Sequence, residues 1–131
     1  MNMLKSVSLS AMALALTTSV VLAASHGAPV VSVGDFNGEN FLIDQNKMTL
    51  YTFDKDTRNT SNCNGECAIK WPPLAAEQGM GLPQGYQIIT REDGSLQIAY
   101  KGQPLYLWFK DENPTDMTGD GVKGVWHVAR P

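Results

Sequence analysis

The chain has 131 residues, 43% hydrophobic and 18% charged, with a formal net charge of −3. Nothing in that balance is basic enough for nucleic acid or an anionic membrane surface, and acidity of this size serves solubility. The length suits one domain with a core of its own.

Taken in order, Met1 to about Ala23 carries one cation, Lys5, then the apolar run from Val7 to Leu16, then Val21-Leu22-Ala23. That is the n-region, h-region and small-residue cleavage site of a signal peptide over 1–23, with a cut after Ala24 as the alternative. Ser8, Ser10, Thr17, Thr18 and Ser19 interrupt the run too often for a good membrane span. Residues 24–131, about 108 in all, then form a single β-rich domain able to bury roughly 60–70% of its unfolded surface. If the mature chain starts Ala24-Ser25-His26, its amine, two amides and imidazole make a square-planar nitrogen set suited to Cu(II) or Ni(II).

From Val30 the pattern is β. Val30–Val33, Asn40–Asp44 and Met48–Phe53 are short runs divided by Gly34-Asp35, Asn37-Gly38 and Asp44–Lys47, all turn chemistry. A second set, Tyr86–Thr90, Ser95–Tyr100 and Pro104–Phe109, is divided by Asp93-Gly94 and Lys101-Gly102, which read as hairpin turns. Between the sets lies a Gly/Pro-rich connector, Glu77–Gly85, the segment expected to be most mobile.

The two sets are one unit written twice. Leu50-Tyr51-Thr52-Phe53-Asp54-Lys55-Asp56 recurs farther on as Leu105-Tyr106-Leu107-Trp108-Phe109-Lys110-Asp111. The same register carries Ile43 onto Ile98, Thr60 onto Thr115 and Trp71 onto Trp126 without a gap. Repeat one spans about 40–75 and repeat two about 95–130, which predicts a small all-β domain of two pseudo-repeated β units, sandwich or barrel-like, with long loops. Side chains alternate along a strand, so Tyr51 and Phe53 share a face, as do Tyr106 and Trp108. Four rings could therefore meet across a pseudo-twofold centre. Asp56 and Asp111 fall where each strand ends, able to accept from turn N–H groups or from the other copy's tyrosine.

Tandem Tyr-x-aromatic-x-x-Asp, followed by Trp71-Pro72-Pro73-Leu74 and by Trp126-His127-Val128-Ala129, resembles the bacterial secreted-repeat family, also described as predicted lipoproteins with a Yx(FWY)xxD motif. The resemblance covers nearly all of the chain after the export signal and implies a small cell-envelope domain, without any assigned reaction or substrate. No cysteine stands at the cleavage site for lipid attachment, so a soluble product of the periplasm or medium is expected.

The two long loops diverge. Copy one holds the chain's two cysteines in Cys63-Asn64-Gly65-Glu66-Cys67. In an oxidising compartment such a pair is expected to form a disulfide that pins the loop before Trp71. A redox pair is the alternative, but the spacing is not that of thiol oxidoreductases. Copy two holds Asp116-x-Thr118-x-Asp120-Gly121, the opening of a calcium loop, which fails at the twelfth position where His127 stands instead of a glutamate. A plain solvated loop is the competing reading.

No nucleophile elbow and no two-histidine metal motif is present, and no cofactor is expected. The sequence therefore points to an exported non-catalytic domain binding an unknown envelope ligand or protein, with no role at nucleic acid and no membrane insertion once the signal is gone. Metal handling, through Ala24–His26, the acidic loop or His127 with Met117, is the alternative. An enzyme using His127 with Asp111 or Asp120 is a third reading.

Overall fold

The computed structural model describes residues 30–131; the expected signal peptide and the Ala24–His26 terminus lie outside the described residues. Strand β1 (Val31–Phe36) and β2 (Glu39–Asp44) form an antiparallel hairpin. Its turn is Asn37-Gly38, with φ of 55° and 81°, the paired positive values of a type I′ turn. Next come β3 (Tyr51–Phe53) and the one-turn helix α1 (Glu66–Lys70). A second antiparallel group is β4 (Tyr86–Thr90), β5 (Leu96–Tyr100) and β6 (Gln103–Pro104), and the chain closes with a 3-10 turn at Val122–Gly124 and β7 (Trp126–Val128). The sheets are β1-β2, β3-β7 and β4-β5-β6. The domain is all-β in character, built of small open antiparallel sheets rather than a closed barrel.

Two expectations change. Gly34-Asp35 is not a break: Gly34 pairs with Phe41 inside β1, and a Cβ there would lie 3.1 Å from Ile43 Cγ2, so the glycine lets a neighbouring side chain lie close. The runs Met48–Phe53 and Pro104–Phe109 shorten to β3 and β6, with an isolated bridge joining Tyr51 and Tyr106.

At that bridge lies the centre of the fold. Tyr51 N–H donates to Tyr106 O at 2.8 Å and Tyr106 N–H returns the bond to Tyr51 O at 3.0 Å. Around it Ala129 N–H bonds Leu50 O and Leu74 N–H bonds Leu105 O, at 2.8 and 2.9 Å. Farther out, Asp54 N–H bonds Val125 O and Phe109 N–H bonds Lys70 O. The offset that carries Tyr51 onto Tyr106 exchanges the members of each pair of bonds, which is the signature of an approximate twofold axis. Each copy's tryptophan segment thus lies along the other copy's tyrosine strand. For repeat two's segment this gives the β3–β7 ladder, with Phe53 opposite Trp126. For repeat one's it gives only a bridge from Pro73 to Tyr106, because Pro72 and Pro73 have no N–H to donate.

Alternation at the axis splits the core in two. Leu50 and Leu105 face an aliphatic cluster with Val31, Leu42, Leu74, Ile98 and Ala129. Tyr51 and Tyr106 face an aromatic one with Phe41, Cys63, Trp71, Trp126 and Val128. Both tyrosines are completely buried.

Candidate functional site

A fully buried tyrosine needs a partner for its hydroxyl, and here each finds it in the opposite repeat. Tyr51 OH donates to Asp111 Oδ2 at 2.5 Å, and Tyr106 OH donates to Asp56 Oδ2 at 2.6 Å. The second oxygen of each aspartate holds its own loop: Asp56 Oδ1 accepts from Asn62 N–H, and Asp111 Oδ1 accepts from Thr118 N–H and Oγ1. Both duties open to the aspartates in the sequence are thus combined. Burial, reinforced by the acceptor carboxylate, pushes both phenols well above the ordinary tyrosine range. Burial also raises the Asp56 carboxyl, against the pull of Asn62 N–H and the Tyr106 hydroxyl.

The lock between Tyr106 and Asp56 has a further group for which the sequence carries no signal. Arg91, 5% exposed, donates to Ser61 Oγ, Gln97 Oε1 and the Cys63 carbonyl at 2.9, 2.7 and 2.6 Å. Ser61 Oγ is in turn 2.7 Å from Tyr106 OH. A guanidinium offers five donors and stays charged, so it ties strand, loop and lock together from one point. On the other side, Tyr51 OH instead accepts from Gly119 N–H at 3.3 Å.

The other motif rings form a column. Phe53 stacks on Trp126 at 4.1 Å, Trp126 on Trp71 at 3.7 Å and within 3° of parallel, and Trp71 meets Trp108 at 4.0 Å. The two tyrosines stand edge-on to the inner pair, Tyr51 against Trp71 and Tyr106 against Trp126. Gly119 is what lets repeat two's loop cross this column: a Cβ there would sit 2.9 Å from both Trp108 Cγ and Trp71 Cη2 and 3.0 Å from Tyr51 Cε1. Rigid rings cannot yield as a flexible side chain can. Gly119→Ala is expected to cost about 1–3 kcal/mol by overpacking, measured as a drop in urea midpoint; an unchanged midpoint would contradict the close approach.

Cys63 and Cys67 are disulfide-bonded, with Cα atoms 5.2 Å apart. Helix α1 has five residues and no fully buried side chain, so neither length nor packing alone secures it. Replacing both cysteines with serine is expected to lower stability by about 2 kcal/mol, from the closure entropy of so short a loop. Hydrogen exchange should then be fastest over α1, and a protected helix in the double variant would refute this role.

In the acidic loop the oxygens are directed to the chain itself. Asp116 Oδ2 accepts from Glu112 and Asn113 N–H, Thr118 bonds Asp111, and Asp120 Oδ1 accepts from Val128 N–H. Among the described residues no group of three or more His, Cys, Asp or Glu is placed to hold a metal. His127 lies on β7 opposite the face of Trp126 and Val128. Its Nε2 is 2.7 Å from Asp54 Oδ2, both side chains about half exposed, rather than beside Asp111, Met117 or Asp120.

A cleft of about 310 Å³ opens over the column, at the small end of ligand sites. Phe53 and Trp108, Trp71 and Trp126, Cys67 and Val122, and Lys70 and Val125 all line it. The members of each pair occupy equivalent positions in the two repeats, so the cleft straddles the pseudo-twofold axis. Its walls are the divergent loops, α1 on one side and the turn at Val122–Gly124 on the other, and Lys55, Lys123 and Glu66 complete the lining. The motif rings were visible in the sequence as candidates; Lys55 was visible only as a repeated motif position matching Lys110, and Lys70 and Lys123 carried no distinguishing pattern.

Fold and site together define a duplicated β domain whose halves exchange their tryptophan segments around one aromatic centre. The chain belongs to the family described as a secreted repeat of unknown function, which matches it twice, over residues 37–75 and 87–130. The two matches end at equivalent positions, 75 and 130, in the register of the structural repeat. An exported domain follows from that membership. No curated protein and no solved structure matches the chain.

Proposed function

We propose that this protein is a non-catalytic binding module of the periplasm, and that it seats a small ligand in the cleft on its pseudo-twofold axis. The observation that carries the reading is the cleft itself: an aromatic floor built by both repeats, walled by the two segments in which the repeats differ. A ligand there would touch both copies at once, while the geometry beneath it stays fixed by the two tyrosine–aspartate locks. The disulfide suits an oxidising envelope compartment. His127, the acid–base candidate of the sequence, does not line the cleft and is paired with Asp54 on open surface.

Native mass spectrometry after exposure to the small-molecule fraction of an envelope extract tests this. The wild-type protein should retain a species that Val122→Trp, which fills the cleft, does not. Retention by neither protein, or equally by both, would refute the assignment. The retained species should also leave with its mass unchanged, and a mass shift would overturn the non-catalytic part.

A further inference from the structure

Resting on that reading, we infer that the axial cleft selects a small planar aromatic carboxylate. The charge of the lining is the first reason. Lys55 follows the tyrosine strand, Lys70 ends α1 and Lys123 sits in the 3-10 turn, yet all three border one cleft, with Glu66 as the opposing carboxylate. None of the three amines takes part in a salt bridge among the described residues, not even Lys70 with Glu66 one turn earlier on the same helix. The chain as a whole carries −3. Three unpaired ammonium groups around an apolar floor on an acidic protein concentrate positive potential at that place, and low-dielectric walls focus it.

The floor gives the second reason. Trp71 is covered by Trp126 and Trp108 on its two faces, and Trp126 by Phe53 and Trp71. The inner indoles are only 4% and 2% exposed, and with their faces taken by one another it is their edges that are left to border the cleft. Ring edges carry the positive part of the aromatic quadrupole and meet a π-face best in a T-shaped contact. A flat ring lying across those edges satisfies them, and its carboxylate then reaches the lysine rim. An alkyl chain offers no such face, and a cation would be repelled by the rim.

The test uses matched probes: naphthoate, the neutral naphthyl alcohol, the naphthylmethyl ammonium, and decanoate. Binding is followed by indole fluorescence and calorimetry at low and high salt, on the wild-type protein and on Lys55→Gln/Lys70→Gln/Lys123→Gln. Naphthoate should bind at least about tenfold more tightly than the alcohol and the ammonium, with decanoate weaker than naphthoate. Salt and the triple substitution should each erase the advantage over the alcohol without abolishing the alcohol's own binding. If alcohol and naphthoate bind equally, or the triple variant keeps its preference, the charge assignment is overturned while the cleft remains a binding site. If decanoate binds best, the aromatic assignment is overturned. Should no probe of any kind perturb the indoles or give heat, the binding reading falls with it.

Discussion

Replacing Trp126 with alanine is expected to lower the unfolding free energy by about 3–5 kcal/mol, the range for deleting a large buried aromatic side chain. Trp126 is 2% exposed and is an inner member of the column, stacked on Phe53 and on Trp71 and struck edge-on by Tyr106. Its removal would leave a void between Phe53 and Trp71, both held by repeat one, and Tyr106 of its own repeat, so that closing it requires movement of both copies. His127→Ala, the next residue on the same strand, loses only a half-exposed contact with the Asp54 carboxylate and should cost about 0–1 kcal/mol. Chemical denaturation of both variants provides the comparison, with Trp126→Phe as a milder form if the alanine protein does not fold. A Trp126→Ala cost below about 1 kcal/mol would mean that the stack is not central to stability.

Alkaline pH is expected to unfold the protein through its two central tyrosines. Both hold their protons more tightly in the folded state than in the unfolded one, through burial first and the facing carboxylates second. Their stabilising contribution is complete below pH about 10, where neither state ionises. It is lost as pH rises from there toward the raised folded values, at about 1.4 kcal/mol per pH unit for each tyrosine. Tyrosinate absorbance from Tyr51 and Tyr106 should therefore appear together with unfolding rather than before it. Tyr86 is also raised by burial, so the cleanest measure is the difference between wild type and Tyr106→Phe. That variant should lose about 1.5–3 kcal/mol at neutral pH for its charge-assisted hydrogen bond, and its alkaline slope should be shallower by one tyrosine's share. Ionisation of every tyrosine near pH about 10 with the fold intact would contradict the locks.

The repeat was legible because its matched residues are large and keep one register: Leu50 with Leu105, Tyr51 with Tyr106, Trp71 with Trp126. The disulfide was legible from two cysteines in an exported chain. Strand lengths were less so. Met48–Phe53 and Pro104–Phe109 have strand composition throughout, but their partners are short segments of the opposite repeat, and Pro72 and Pro73 leave one of those segments unable to donate. Gly34-Asp35 read as a turn because glycine marks both turns and close approaches, and only the packing of Ile43 against it tells which.

By itself the sequence determined that one β unit occurs twice, which rings and carboxylates belong to it, and that the two loops diverge, because these are properties of residue identity and spacing. It left open whether each aspartate serves its own turn or the other copy's tyrosine, and only the tertiary structure joined the two duties. The same holds for the order of the ring column, for the burial of Arg91 beside Ser61, and for the meeting of Lys55, Lys70 and Lys123 at one cleft. Each of these depends on a rotation about an axis between the repeats, and a linear register records that two units are alike without recording how one is turned against the other.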